Sequence, residues 1–168
     1  DIYPATLATT RKLSPLDLMA VHRDMYEGTP HDMTQGAAAG PFGNPDRYAA
    51  GKSTKLAGAW ERSIALYRTT ASHVVQARAW LPSAVGGVAW FGPHAALGTC
   101  YVPLHAGAAA VPAAYTAADP RKLSRASAYW AHKYVLNLAR ARYADSMRVV
   151  AGVRQTLEAA AWERVGGE

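Results

Sequence analysis

Ser14 followed by Pro15 opens the first legible element of the chain. A serine oxygen can accept from the free amides of a first helical turn, and a proline at that point gives up no hydrogen bond. Asp17 suits the positive end of the helix dipole. Leu18, Val21 and Met25 then recur at helical spacing toward Gly28, which is expected to end the helix, and Leu13 stands where it could staple against Leu18. The spacing predicts a core stripe of Leu18, Val21 and Met25.

Further along, the period changes from helical to alternating. Ser63 to Thr70 is rich in β-formers and breaks near Ala71 and Ser72, after a stretch from Lys52 to Glu61 that reads as exposed loop. Ser72 to Trp80 sets His73, Val75, Ala77 and Ala79 on one face and Ser72, Val74, Gln76, Arg78 and Trp80 on the other. Apolar residues fall on both faces, which predicts a sheet covered on both sides. Leu81-Pro82-Ser83 closes this strand, Gly86-Gly87 permits a tight turn, and Val88 to Phe91 returns. Thr99 to His105 is a fourth strand, and Pro103 assigns it to an edge or a bulge because proline cannot donate to a ladder.

An alanine-rich connection, Ala106 to Ala118, leads to a helical pattern from Leu123 onward, with Ser124 as its cap. Tyr129, Trp130, Lys133, Tyr134 and Leu136 to Leu138 give it an apolar face with an aromatic flank, and Arg140, Arg142 and Arg148 read as its solvated side. Gly152 is expected to bend or interrupt the helix before Val153 to Val165 resumes. The class is therefore α/β in the mixed, α+β sense. Without internal repeats or a low-complexity linker, residues 1–168 read as a single domain.

Between the first helix and the strands lies Tyr26 to Tyr48, YEGTPHDMTQGAAAGPFGNPDRY. Gly28, Gly36, Gly40 and Gly43 give the backbone access to positive φ, while Pro30, Pro41 and Pro45 fix φ at intervening positions. Such a loop is shaped, and long shaped loops usually persist because they form a site wall. The competing reading is a structural Ω-loop.

The run YEGTP-x-D-M-T-x-G-x-AAGPFGNPDR resembles the signature of the cysteine dipeptidases related to dipeptidase A, N-terminal-nucleophile hydrolases with the secernins as distant relatives. SIALYRTTASHVVQARAWLP at 63–82 is similar to that family's paired central strands, GVAWFGPHAALGTCYVPLHAG at 87–107 to the strands that follow, and LSRASAYWAHKYVLNLARARY at 123–143 to its long helix. The resemblance implies a layered helix-sheet-sheet-helix fold. It also implies catalysis by a cysteine that becomes the first residue of the mature enzyme, its thiol attacking the scissile carbonyl and its own α-amino group serving as base. This chain begins with Asp1, and its single cysteine, Cys100, falls in the strand-like run GTCYVPL. The expectation is accordingly the C-terminal portion of a dipeptidase, with no catalytic residue in this chain, the nucleophile upstream, and no activity in isolation. The missing N-terminal portion of the same protein would be its partner.

Charge and cysteine content narrow the classes further. The net charge of +6 is scattered, with no dense basic run, which argues against nucleic-acid binding. One cysteine precludes an internal disulfide, and the six histidines form neither HExxH nor an i, i+4 pair, so no metal or other cofactor is expected. No stretch of about 18 apolar residues is present to span a membrane. The compartment stays open, with the cytoplasm favoured. A serine-hydrolase elbow and nucleotide-binding glycine motifs are absent.

A dipeptide differs from a protein segment in its charged ends, so carboxylates and guanidiniums are the natural readers. The candidates for contact with a short peptide are Glu27 and Asp32 for the ammonium, Arg68 for the carboxylate, and His73 and Gln76 beside them. Each has a structural alternative: Glu27 as a cap for loop amides, Asp32 holding the Thr34 turn, Arg68 paired within the sheet. Two other functions stay open, an amide hydrolase of the acylase type and a non-catalytic binding or assembly homologue. An exposed sheet face would favour self-association into a homo-oligomer.

Overall fold

The computed structural model describes residues 4–47, 62–117 and 119–166. The expected loop at 52–61 lies outside them. Helix α1 spans Pro15–His22, and its start is a complete capping box: Ser14 Oγ accepts from the Asp17 amide, and Asp17 accepts from the Ser14 amide at 2.7 Å. The helix ends at Arg23, well before Gly28, because the Arg23 amide turns back onto Ala20 and Val21 while its side chain reaches across the molecule. With the start fixed there, Met19 is the residue that points inward, fully buried, whereas Leu18 and Val21 are about half exposed. Met25 is buried as expected, but from the loop.

Strands β1 (Ser72–Ala77), β2 (Gly87–Gly92) and β3 (Val102–His105) form one antiparallel sheet in that order, so the fold is α+β. Val74 pairs with Trp90 and Trp90 with Pro103. The proline thus sits on an edge strand, where its missing donor costs least. The β1–β2 connection contains the short helix α2 (Ser83–Gly86), and the alanine-rich stretch contains α3 (Ala113–Thr116). Residues 63–70, read as a strand, are instead a series of turns: Ser63 Oγ and the Leu66 and Thr69 amides all bond locally, and the Ala65 amide goes to Asp24 O. These bonds spend the amides of Ala65, Leu66 and Thr69 outside any ladder.

One face of the sheet is covered. Met19 of α1 joins Val74, Val88, Trp90 and Tyr101 in a core closed by Trp162 and Val165 from the last helix. On the other face β1 is open, with His73 and Ala77 exposed and Val75 69% exposed, while Phe91 of β2 is half-buried against Tyr115 of α3, so the two-sided cover that the alternation predicted is missing over β1.

Helix α4 (Ala128–Ala139) is preceded by Ser127, not capped by Ser124, and passes through a 3₁₀ turn at Arg140–Arg142 into α5 (Tyr143–Val165). The interruption expected at Gly152 is absent; α5 runs straight through it. The break comes instead where the glycine-proline loop intrudes. The Ala144 amide donates to Phe42 O at 3.0 Å, Asn44 Nδ2 donates to Arg140 O at 3.3 Å, and Arg140 pairs with Asp46 at 2.5 Å. Arg142 and Arg148 are solvated as read, but Arg140 belongs to this junction. A second core, Met25, Ala65, Leu97, Leu136 and Tyr143, lies beneath the same loop.

Candidate functional site

The loop is ordered by its own chemistry. All four glycines take positive φ, and at Gly43 a Cβ would meet Thr34 O at 3.1 Å as well. Tyr26 also has φ of 66°, the left-handed region that disfavours a side chain, and it is the one non-glycine residue there among those described. It is held by Asp24, whose carboxylate accepts its amide at 2.6 Å, and by its hydroxyl, which donates to Arg62 O. The Tyr26 ring then lines a cavity of about 420 Å³ with His31, Asp32, Gln35 and Arg47.

Asp32 is committed to that loop. It accepts from the Thr34 amide at 2.8 Å, from the Thr34 hydroxyl at 2.6 Å and from the Gly28 amide, and these bonds hold its carboxyl below the usual range. Glu27 accepts from the Met25 amide at 2.9 Å and lines none of the cavities described here. For these two carboxylates the alternative role as backbone caps is the one their hydrogen bonds take. Arg68 is exposed on the turn preceding β1 and has no place within the sheet. Gln76 accepts from Trp90 Nε1 at 3.4 Å on the covered face, far from the loop in register terms and facing a groove with Arg78 and Trp80. The five candidates therefore do not converge on one cleft.

His73 does reach a polar cleft. A cavity of about 280 Å³ opens at the end of β1, lined by His73, Ser72 and His22 with Ile64, Leu66 and Ala96. The chain enters β1 at Ser72, directly after the 63–70 turns, and α1 brings His22 across from the other side. Tyr101 connects them: its hydroxyl donates to Ser72 Oγ at 2.8 Å and lies 2.9 Å from His22 Nδ1. A phenol has one proton, so when it goes to Ser72 the His22 Nδ1–H must be the donor to Tyr101. That tautomer leaves Nε2 as an acceptor and the Ser72 proton directed away from Tyr101. Burial, then the neighbouring His73 and Arg23, lower the His22 pKa and favour the neutral ring this arrangement needs.

Tyr101 is itself fixed from behind. Its amide donates to Glu158 Oε1 at 2.8 Å, and Glu158 receives Arg23 at 2.5 and 3.1 Å. Arg23 also donates to Ala96 O and Thr99 O, and its guanidinium lies 4.9 Å from the Tyr101 ring centroid. Sequence reading missed His22, Tyr101, Arg23 and Glu158, since partners 57 to 135 residues apart leave no local pattern. Glu158 in particular is an ordinary polar residue in the pattern of α5 and stands out only by its burial.

Cys100 is half-buried just before β3, not within it. Burial and the Glu158 carboxylate push its thiol up from the ordinary value, the reverse of what an activated nucleophile requires. Among the described residues no group of three or more His, Cys, Asp or Glu is placed to hold a metal ion, and no helix is long and apolar enough to cross a membrane.

Residues 1–156 match the model of Peptidase family C69. A curated protein named "Probable dipeptidase" from Latilactobacillus sakei is 29% identical over 140 residues, covering 83% of this chain and 26% of that protein. The chain thus spans about a quarter of the length of that relative. No solved structure matches the chain.

Proposed function

The chain belongs to peptidase family C69, and from that premise we propose that it forms the substrate-holding wall of a cysteine-type dipeptidase whose nucleophile comes from outside these 168 residues. The observation that carries this reading is Cys100. It is the single thiol of the sequence, and its surroundings favour the protonated form. That argues against Cys100 as the nucleophile of a hydrolase that works through a thiolate. The length of the dipeptidase relative leaves ample sequence for another cysteine.

On this reading the His22–Ser72–His73 cleft binds the polar atoms of a short peptide. Ser72 offers a hydroxyl proton, and neutral His22 offers an acceptor. A thiolate adding to the scissile carbonyl would form a thioester and release the amine of the leaving residue; water would then free the acid. The open face of β1, with Val75 exposed, would receive a second sheet from the rest of the protein, giving the layered fold. An uncovered sheet face of this kind supports that arrangement because it exposes apolar area that a partner layer would bury.

The test compares dipeptide hydrolysis by this chain, by the full natural protein, and by the full protein carrying Cys100→Ala, each with and without thiol alkylation. The expected result is activity only in the full protein, lost on alkylation and retained in Cys100→Ala. Hydrolysis by the isolated chain, abolished by Cys100→Ala, would overturn the reading. Inactivity of every form would favour a binding or assembly homologue.

A further inference from the structure

The polar cleft has a neighbour. Ala71 lines it and also lines a second pocket of about 370 Å³, with Thr69 on the cleft side and Thr70 on the other. The shared wall is thus a three-residue stretch leading into β1. The second pocket is apolar and aromatic: Phe91, Pro93, Tyr115 and Tyr129 line it, and none of its lining residues is charged.

Each ring is held in place. Tyr115 of α3 stands edge-on to Phe91 of β2, centroids 6.3 Å apart at 65°. Tyr129, in the first turn of α4, packs edge-on to His94 at 5.5 Å, and its hydroxyl receives Lys133 Nζ at 2.9 Å. Burial, with the nearby cations Lys133, His132 and Arg140, lowers the His94 pKa to about 4, so the imidazole behind Tyr129 is uncharged at neutral pH. The site is of the size that ligand pockets take, with preset aromatic walls and a polar group next door. Rings fixed edge-to-face accept another apolar ring without reordering, which is where such contacts gain most.

We propose that this pocket is a side-chain subsite, receiving an aromatic or large aliphatic side chain of a short peptide whose polar backbone atoms occupy the adjoining His22–Ser72–His73 cleft. The inference rests on the dipeptidase reading and deepens it by naming the substrate class: peptides with a bulky apolar residue. A dipeptide suits the arrangement because the polar and the apolar region meet at Ala71, which lines both.

Two measurements on the full natural protein separate this inference from the reading beneath it. The first is ligand-observed NMR with N-acetylphenylalanine amide and N-acetylglycine amide, which have no charged ends and no dipeptide to cleave. The phenylalanine ligand should bind saturably, with Kd on the order of 1 mM for so small a ligand. Binding should be lost both in Tyr115→Ala, which removes a wall, and in Ala114→Trp, which fills the pocket from a half-buried position. The second is the ratio of kcat/KM for Ala-Phe over Ala-Gly, expected to exceed roughly tenfold and to fall toward unity in both variants. Circular dichroism identifies a variant that has not folded, and the other variant then decides. Equal binding of the two ligands, or phenylalanine binding untouched by both variants, would overturn the subsite. If dipeptides are cleaved with no preference in the wild type, the subsite falls and the dipeptidase reading stands. If the phenylalanine ligand binds as expected but no dipeptide is cleaved, the apolar site stands and the dipeptidase reading falls.

Discussion

Replacing Glu158 by glutamine should cost stability out of proportion to the one atom it changes. The Glu158 side chain is 7% exposed and its partner Arg23 14%, so neither charge has water to fall back on. Both carboxylate oxygens receive the guanidinium, at 2.5 and 3.1 Å, and Oε1 also receives the Tyr101 amide at 2.8 Å. Glutamine keeps the shape and one acceptor but removes the charge that balances Arg23, and it turns an amide NH₂ toward a guanidinium that can only donate. Breaking a buried pair from one side typically costs about 3–5 kcal/mol; the retained acceptor argues for the lower end, about 3 kcal/mol. For a domain of this length that is roughly 6–12 °C in Tm. The assay is urea unfolding of the purified protein, followed by tryptophan fluorescence and circular dichroism. Combining Glu158→Gln with Arg23→Met should cost less than the sum of the two single changes, because the second change removes the charge that the first left unbalanced. A loss below about 1 kcal/mol for Glu158→Gln, or additive losses in the double variant, would refute the reasoning.

Stability should rise with pH between about 4 and 6.5, because burial lowers the folded-state pKa of His94 from 6.5 to about 4 and the unfolded chain binds the extra proton in that window. His94→Phe should flatten the rise, by up to roughly 3 kcal/mol over the window, and urea midpoints at pH 4.5 and 7 with an unchanged difference would refute it. Gly43→Ala and Gly152→Ala should move stability in opposite directions. The first forces a Cβ into positive φ against Thr34 O at 3.1 Å and should cost at least about 1 kcal/mol. The second meets nothing within 4 Å inside α5 and should gain about 0.5–1 kcal/mol, both read from unfolding midpoints. Tyr101→Phe takes the hydroxyl partner from His22 Nδ1, so the ¹H–¹⁵N pattern that reports Nδ1 protonation at His22 should change, and an unchanged tautomer would show that Tyr101 does not set it.

What could be read in the chain was what is local. Ser14, Pro15 and Asp17 specify a helix start within four residues, and the capping box forms as written. Pro103 specifies an edge strand because a missing donor has the same meaning wherever the strand lies. What could not be read was set at long range. The β-formers of residues 63–70 make turns because Asp24 O, distant in sequence, takes the Ala65 amide. Leu18 and Val21 lost the core to Met19 by a rotation of the helix face that only the sheet beneath decides. The alternation of β1 predicted two covered faces; it records that apolar residues stand on both, without saying what would cover the second. Of the candidate site residues, His73 reaches the polar cleft, while Glu27 and Asp32 are spent on amides at the positions where a short acidic side chain in a glycine-rich turn commonly bonds its own backbone.

The glycine-proline loop bears on both readings offered for it, because its two halves do different things. From Phe42 to Asp46 it is a wedge: a carbonyl, an amide side chain and a carboxylate take hold of the α4–α5 junction, and the 3₁₀ turn at Arg140–Arg142 stands where they grip. Burial pushes the Asp46 carboxyl up despite the pull of Arg140, so desolvation offsets part of what this ion pair gains. From Tyr26 to Ala38 the loop closes on itself around a cavity, with a tyrosine kept in a conformation that strains it. A structural Ω-loop would need the Phe42 to Asp46 half only. Strain at Tyr26 is compensated by Asp24 and the Arg62 carbonyl, and those contacts do nothing for the helix junction. A packing role therefore accounts for Gly43 and its neighbours and leaves Tyr26 unexplained, which is the residue to replace, with glycine, in asking whether the cavity serves the peptide. Relief of the strain is offset by the loss of a half-buried ring and its bond to Arg62 O, so the urea midpoint is read beside kcat/KM in the full protein: a fall in kcat/KM at an unchanged midpoint would come from the lost ring, and an unchanged kcat/KM would exclude the cavity from the peptide site.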